Sequence, residues 1–317
     1  MKFFVTGCSG FIGSTLVDSL ISDGHVVLGL DNLSTGKEEF LDNVKTNENF
    51  TLIKDDIKNV NNYSEKIVNT DAVFHLAANA DVRFGFEHPS KDIEQNTINT
   101  FLLLETMRKC AIKNILFAST GSVYGEAAII PTPENCPFPV QTSLYGASKI
   151  SCEAFIQAYS NYGYFKSTIF RFVSWIGIGY SHGVIYDFVQ KILNDTSKLE
   201  ILGDGNQIKS YLDVKDGVEG VIEISEKQNE ITSIFNLGHD ETMNVKDLAD
   251  IVCNEMGFEK IDYKFRGGKR GWVGDSPLVH LDTTKAKSFG WKPTVSIENS
   301  IRKTVRYLMS DNSRRYR

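Results

Sequence analysis

The stretch Gly7-Cys8-Ser9-Gly10-Phe11-Ile12-Gly13 follows directly on a short apolar run at residues 3–6. After it, apolar residues recur at helical spacing, at Ile12, Leu16, Val17 and Leu20. Glycines at such a junction permit a tight turn, let the backbone approach a pyrophosphate and let the helix pack closely on the strand. We therefore predict a phosphate-binding turn at a helix N-terminus, with a purely structural glycine turn as the alternative.

Further apolar runs alternate with helical patterns through the first half of the chain, at residues 26–30, 50–54, 72–76 and 115–119. A helical pattern over residues 90–109 separates the last two runs. Strands that are apolar throughout and are separated by helices are what a parallel sheet covered on both faces requires. The sequence therefore predicts an α/β protein with a Rossmann-type, doubly wound parallel sheet.

An acidic residue, Asp31, closes the second apolar run. A carboxylate at this place can accept hydrogen bonds from the adenosine ribose of a dinucleotide, and it would repel a 2′-phosphate. This favours NAD over NADP as the cofactor; the alternative is a solvated loop acid. The chain contains no GxxxxGK[ST] sequence, so a P-loop nucleotidase is not indicated.

Composition limits the partners that this chain of 317 residues can have. A formal net charge of -6 argues against nucleic acid, because phosphate binding needs a basic surface. No apolar stretch approaches the ~18 residues that suggest a membrane span. The five cysteines are scattered without a CxxC pair, and the six histidines show no metal-ligand spacing. We therefore expect reduced thiols in the cytoplasm and no metal.

Tyr145 and Lys149 lie four residues apart, so they share one face if the segment is helical. A free tyrosine has a pKa of about 10 and is a poor base at neutral pH. A nearby ammonium and a positively charged nicotinamide both favour the phenolate and lower that pKa. The pair is therefore a candidate base and its tuning group; an exposed helix face is the alternative.

Hydroxyl side chains end the buried run before this pair, in Ser119-Thr120-Gly121-Ser122-Val123-Tyr124-Gly125. Ligands of parallel sheets collect at the carboxyl ends of the strands. Hydroxyls at that edge can hold a substrate oxygen beside the tyrosine, although each one alone could simply satisfy a local turn.

Five features follow one another in an order that resembles the extended short-chain dehydrogenase/reductases. They are the GxxGxxG turn, the acid after the second strand, HLAA at residues 75–78, the S-T-x-x-V-Y-G stretch and YxxxK. Within that family the chain is similar to the nucleotide-sugar epimerases of the UDP-glucose 4-epimerase type, over nearly its whole length. The resemblance implies a catalytic group of Thr120, Tyr145 and Lys149. It also implies NAD-binding residues, namely Gly7, Gly10, Phe11, Ile12, Gly13, Asp31, Asn32, Ser34, Thr35, Gly36, Asp56, Ile57, Leu76, Ala77, Ala78, Asn96, Ser119, Tyr145 and Lys149.

The mechanism implied by the resemblance is a transient oxidation of a nucleotide-diphosphate sugar by tightly bound NAD. Tyr145 takes a proton from a sugar hydroxyl, most often at C4, and the hydride returns to the opposite face. Candidate substrate-binding residues are Thr120, Ser122, Tyr145, Ser174, Lys209, Arg270 and Asp275. The family resemblance also implies a homodimer formed through a four-helix contact.

Departures from the family pattern indicate which branch of the family the chain resembles and which residues could bind its substrate. Related dehydratases and decarboxylases carry a glutamate where this chain has Ser122, which favours an epimerase, and Glu126 lies after the motif. Ser174 replaces an asparagine that commonly contacts the diphosphate, and Lys209 stands where arginine is frequent. Dehydratase, decarboxylase, reductase, an epimerase of another nucleotide sugar and a non-enzymatic NAD-binding regulator remain the alternatives. Exposed surface charge is the alternative for Lys209 and Arg270.

The glycine clusters and interspersed aromatic residues beyond residue 173 indicate a second lobe. We predict an NAD-binding Rossmann domain over residues 1–173, to which 212–237 returns as helix and strand. Residues 174–211 and 238–317 then form a smaller C-terminal substrate-binding lobe. The polar end of the chain, from residue 310 to 317, is predicted to fray.

Overall fold

A computed structural model describes residues 1–137 and 140–310. Its strands are β1 Lys2–Thr6, β2 Val26–Asp31, β3 Phe50–Lys54, β4 Ala72–His75, β5 Asn114–Thr120, β6 Lys166–Phe172, β7 Ser174–Ile176, β8 Lys198–Ile201, β9 Ile208–Lys209, β10 Tyr211–Asp213, β11 Thr232–Leu237, β12 Met243–Asn244, β13 Asp262–Phe265 and β14 Leu278–Val279. Its α-helices are α1 Phe11–Ser22, α2 Val82–Glu87, α3 Pro89–Asp92, α4 Asn99–Lys109, α5 Leu144–Asn161, α6 Val184–Asn194, α7 Val214–Lys227, α8 Val245–Glu255, α9 Thr284–Ser288 and α10 Ile297–Met309.

A seven-stranded parallel sheet in the order β11-β6-β5-β4-β1-β2-β3 forms the framework. In its centre Phe4 of β1 is in register with Leu28 of β2 and with Val73 of β4. These strands are apolar throughout because helices cover both faces, and Phe4 and Val73 are fully buried. The predicted Rossmann-type α/β fold is confirmed.

The helix predicted over residues 90–109 contains a change of geometry. It runs as α3, then a π-helical segment over Ile93–Ile98, then α4. The inserted residue of a π-helix turns side chains away from their α-helical positions, and such segments are frequent at functional sites. The segment carries Asn96, whose side chain is 1% exposed.

The described chain divides into two compact units. The first comprises residues 1–123, 143–171 and 221–235, and it contains the cluster of buried apolar side chains between sheet and helices. The second comprises the described parts of 124–142, 172–220 and 236–310. The described residues of 124–142, which the prediction assigned to the NAD-binding domain, thus cluster with the second unit. The functions assigned to the two lobes stay predictions.

Three small sheets organise the second unit. They pair β10 with β7, β13 with β8, and β9 with both β12 and β14. The helix and strand predicted at 212–237 are α7 and β11, and β11 joins the edge of the large sheet beside β6. No helix within the described residues has the length and apolarity needed to cross a membrane. Residues 311–317, part of the predicted frayed end, lie outside the described residues.

Candidate active site

The glycine turn joins β1 to α1 and can be made only by glycine at two of its positions. Gly7 has φ +72°, and a Cβ there would lie 2.8 Å from the backbone nitrogen of Ala77. A Cβ on Gly13 would overlap the carbonyl oxygen of Gly7. Gly10 is the N-cap of α1, and among the described residues no side chain caps this end. The turn therefore presents the partial positive charge of the helix N-terminus, as phosphate binding requires.

Asp31 connects this turn to the next loop. Its carboxylate accepts one backbone hydrogen bond from Ser9, at 2.9 Å, and one from Leu33, at 2.8 Å. The residue is 8% exposed, and burial raises its pKa. It is therefore not the solvated loop acid of the alternative interpretation. Gly36 packs on it, since a Cβ on Gly36 would lie 2.9 Å from Asp31 Oδ1.

Further candidate cofactor residues follow the carboxyl ends of β2, β3 and β4, and they therefore lie on the same edge of the large sheet as the glycine turn. Asn32 donates to the carboxylate of Asp56 at 3.0 Å, which links the loops after β2 and β3. Its own side-chain oxygen accepts from the backbone of Ser34. Ile57 is buried beside this link. The segment after β4 contains Leu76, Ala77 and Ala78, and Ala77 donates to the Thr6 hydroxyl at 3.3 Å.

Both polar atoms of the Asn96 side-chain amide form hydrogen bonds within the first unit. Its oxygen accepts from the backbone of Asn79 at 2.7 Å, and its nitrogen donates to the hydroxyl of Ser148 at 2.9 Å. Ser148 lies on α5 between Tyr145 and Lys149. Asn96 thus ties the π-helical segment to the helix that carries the candidate base.

Thr120 and Ser122 stand at the end of β5 and in the turn after it. The backbone N–H of Ser122 donates to the Thr120 hydroxyl at 3.1 Å, and that hydroxyl donates to Ser122 Oγ at 3.2 Å. Tyr145 lies in the first turn of α5, whose N-cap Ser143 accepts from the backbone of Gly146. The Thr120 hydroxyl lies close enough to the Tyr145 phenol to act on its pKa. The structure therefore brings Thr120 and Tyr145 together, and the role of the hydroxyl in assisting the base stays a prediction.

Burial controls the titration of the tyrosine–lysine pair. It raises the pKa of Tyr145 to about 12, while the neighbouring Thr120 hydroxyl acts in the opposite direction. It lowers the pKa of Lys149 to about 8. In the chain by itself, desolvation of the phenolate thus outweighs the other effects on Tyr145, and the lowering of its pKa by Lys149 and a bound nicotinamide stays a prediction. The Lys149 ammonium lies 4.1 Å from the centre of the Phe117 ring and is 3% exposed, so the exposed-face alternative is wrong.

Sequence reasoning missed two charged residues behind this pair. Glu153 lies one further helical turn along α5, and its carboxylate accepts from Arg171 at 2.7 Å and 3.1 Å and from the hydroxyl of Ser119. Glu153 and Arg171 are each 1% exposed. The signal was the four-residue spacing that continues from Tyr145 through Lys149 to Glu153. The partner on β6 could not be found, because its contact with Glu153 is tertiary.

In the second unit, three of the four predicted substrate residues form one ion-pair cluster. Lys209 donates to the Asp275 carboxylate at 2.5 Å, and Arg270 donates to the Asp275 carbonyl at 2.5 Å. Arg270 also pairs with Glu126. Ser174 is exposed on β7, in register with Tyr211, and stands outside the cluster. The Lys209 side chain is 18% exposed, so it is not the surface charge of the alternative interpretation.

Known proteins resemble this chain in sequence and in overall fold. The model of the NAD dependent epimerase/dehydratase family matches residues 3–238. A putative UDP-glucose 4-epimerase of Methanocaldococcus jannaschii is 35% identical, over 97% of this chain and 98% of that protein. The structure of a UDP-glucose 4-epimerase with UDP-glucose from Thermotoga maritima has a TM-score of 0.87 and 33% identity, over 97% and 98%. A UDP-glucuronic acid 4-epimerase of Bacillus cereus in complex with UDP-glucuronic acid and NAD has a TM-score of 0.89 and 26% identity, over 97% and 99%.

We expect Gly13→Ala to abolish the retention of NAD through purification. The added methyl group would overlap the Gly7 carbonyl and force the turn away from the start of α1. The bound nucleotide, released by acid and measured by its absorbance, should fall at least about tenfold, which corresponds to about 1.4 kcal/mol. Ser19→Ala, later on the same helix, is the control and should retain NAD. Normal NAD content in Gly13→Ala would contradict a phosphate role for the turn.

Proposed function

Because the chain belongs to the NAD-dependent epimerase/dehydratase family, we propose that it inverts C4 of a UDP-hexose of the UDP-glucose/UDP-galactose type, with NAD held tightly by its first unit. The observation that carries this proposal is that Thr120 ends β5 beside Tyr145 of α5, while Lys149 of the same helix lies over the Phe117 ring of β5. Relatives that act at C4 of UDP-sugars support the same reaction.

The residues at the sheet edge fit NAD. Glycine at residues 7 and 13 lets the turn close against Ala77 and against its own backbone, and the turn then leads into a helix N-terminus without a side-chain cap, where a pyrophosphate can bind. Asp31 accepts one backbone N–H on each carboxylate oxygen and so keeps lone pairs for the ribose hydroxyls. When bound, NAD supplies a hydride acceptor that returns the hydride and a cationic ring that favours a phenolate.

The chain's own residues would then move and hold a proton. Tyr145 is the base that takes the proton of the C4 hydroxyl and later returns it. When substrate binds, the Thr120 hydroxyl would turn to hydrogen-bond the reacting oxygen beside the Tyr145 phenol. Lys149 holds the nicotinamide ribose and contributes positive charge. Ser122 orients the Thr120 hydroxyl through the hydrogen bonds between them.

Absence of an acid at the position of Ser122 supports epimerisation over dehydration or decarboxylation. Elimination of water needs a group that protonates the leaving oxygen. Glu126 follows in the sequence, but its carboxylate is paired with Arg270 in the second unit. Hydride transfer and its reversal need no such acid.

We further propose that Lys209 and Arg270 bind the substrate diphosphate and that Asp275 contacts the nucleoside. Both cations are paired with carboxylates within the cluster, so their positions are fixed before substrate binds. A diphosphate would replace part of that pairing with charge-assisted hydrogen bonds, to which a guanidinium can contribute two. We place the protein in the cytoplasm, which the free thiols of all five cysteines support.

A homodimer through α4 and α5 is part of the proposal. Phe101 of α4 and Phe155 of α5 are 39% and 40% exposed, and their rings are 6.1 Å apart. Ile98, 46% exposed, extends this apolar patch. Adjacent apolar side chains on two helices are what a second copy of the same pair would cover.

We expect Phe101→Glu to give a monomer at micromolar concentration, because a carboxylate would be buried against the second copy. Light scattering coupled to size-exclusion chromatography would measure the mass. Ile231→Glu, at an apolar residue that is 62% exposed elsewhere in the first unit, is the control and should leave the mass unchanged. A wild-type protein that is already monomeric would contradict the proposed dimer.

The reaction is tested by incubating purified protein, without added cofactor, with UDP-glucose, UDP-galactose, UDP-N-acetylglucosamine or UDP-glucuronate. Proton NMR should show interconversion of UDP-glucose and UDP-galactose. Conversion of only one of the other two sugars would contradict the proposed substrate. If no sugar is converted while NAD is bound, the proposed reaction is wrong, and if no NAD is bound the cofactor assignment is wrong as well.

A further inference from the structure

Two cations and one anion are buried together in the first unit. Lys149, Glu153 and Arg171 are 3%, 1% and 1% exposed. Lys149 and Glu153 lie four residues apart on α5 and so share a helix face, while Arg171 reaches Glu153 from β6. Burial of an ammonium disfavours its charged form unless an anion is close by. Any role that needs a charged Lys149 therefore requires an anion near its ammonium group.

The groups around Lys149 leave one candidate. The titratable groups that interact with it are His75 on β4 and Cys152 and Glu153 on α5. Burial lowers the pKa of His75 to about 3 and raises the pKa of Cys152, so both are neutral at pH 7. The Phe117 ring contributes only its π face. The Glu153 carboxylate, which pairs with Arg171, is the remaining acidic group in this set.

Glu153 is also held in place from three sides. Arg171 donates two hydrogen bonds to its carboxylate, and the Ser119 hydroxyl donates a third. Ser119 directly precedes Thr120 on β5, so the carboxylate connects α5, β5 and β6 just behind the proposed catalytic group. A charge fixed in this way cannot swing away from Lys149.

We propose that Glu153 is a positioning residue that keeps Lys149 in its ammonium form in the core and, through Ser119, holds the end of β5 that carries Thr120. Its effect on turnover rests on the proposed function, in which Lys149 contributes positive charge beside Tyr145. Its effect on Lys149 itself does not depend on the reaction.

The test is an NMR titration of the protein labelled with ¹³C-lysine, with the Lys149 resonance assigned by its loss in Lys149→Met. Glu153→Gln should lower the pKa of Lys149 by about one unit or more, since the attracting charge is removed. Arg171→Met breaks the same ion pair but leaves the carboxylate uncompensated, so it should raise that pKa. Glu153→Asp, which retains the charge, should stay closer to the wild type than Glu153→Gln.

Opposite shifts in two variants that damage the same ion pair separate an electrostatic role from a structural one. An unchanged Lys149 pKa in Glu153→Gln, or a fall in Arg171→Met, would overturn the proposal. If Glu153→Gln does not fold, the direction of the shift in Arg171→Met decides the matter. The titration does not depend on turnover. An inactive wild-type protein would therefore overturn the proposed function, but the effect of Glu153 on the Lys149 pKa could still be measured.

Discussion

Replacing Tyr145 with phenylalanine is expected to reduce turnover at least about 100-fold, because proton transfer by a positioned side chain contributes about 10²–10⁴-fold. The substitution removes only the phenol oxygen, which lies near the Thr120 hydroxyl. Epimerisation followed by proton NMR measures the rate. The bound NAD and the midpoint of urea unfolding should stay close to the wild type.

The matched control is Tyr162→Phe, at the C-cap of the same helix, where the side chain is 71% exposed. It should keep full activity. Turnover by Tyr145→Phe at the wild-type rate would show that another group takes the proton, and the assignment of the base would then be wrong.

The second large effect is expected on stability. Arg171→Met should lower the free energy of unfolding by about 3–5 kcal/mol, because it leaves the Glu153 carboxylate buried without its partner. Arg108→Met breaks an ion pair with Glu105 on the surface of α4 and should cost at most about 1 kcal/mol. Urea unfolding of both variants gives the comparison.

Combining Arg171→Met with Glu153→Gln should recover part of the loss, since a neutral amide still accepts the Ser119 hydrogen bond and leaves no unpaired charge. A double variant as unstable as the sum of its single variants would mean that the two residues do not act as a pair.

The pattern of apolar residues and glycines along the sequence determined most of the fold. Apolar runs at β1 to β5 predicted the sheet because a strand buried on both faces must be apolar throughout, whatever its neighbours are. The glycines at residues 7 and 13 predicted the turn because a side chain there would collide with backbone of the turn itself or of the segment that follows β4. The four-residue spacing of Tyr145 and Lys149 likewise predicted one helix face.

Tertiary structure alone decided which charges meet and how burial changes them. The sequence does not place Arg171 or Ser119 near Glu153, and Asp275 is 66 residues from Lys209, yet each of these pairs is in contact. Burial likewise raises the pKa of Tyr145, because desolvation depends on everything packed around the phenol. Sequence spacing determines the contacts within one helix or strand. The electrostatic field at a buried group instead depends on charges and dipoles from several helices and strands, which only folding brings together.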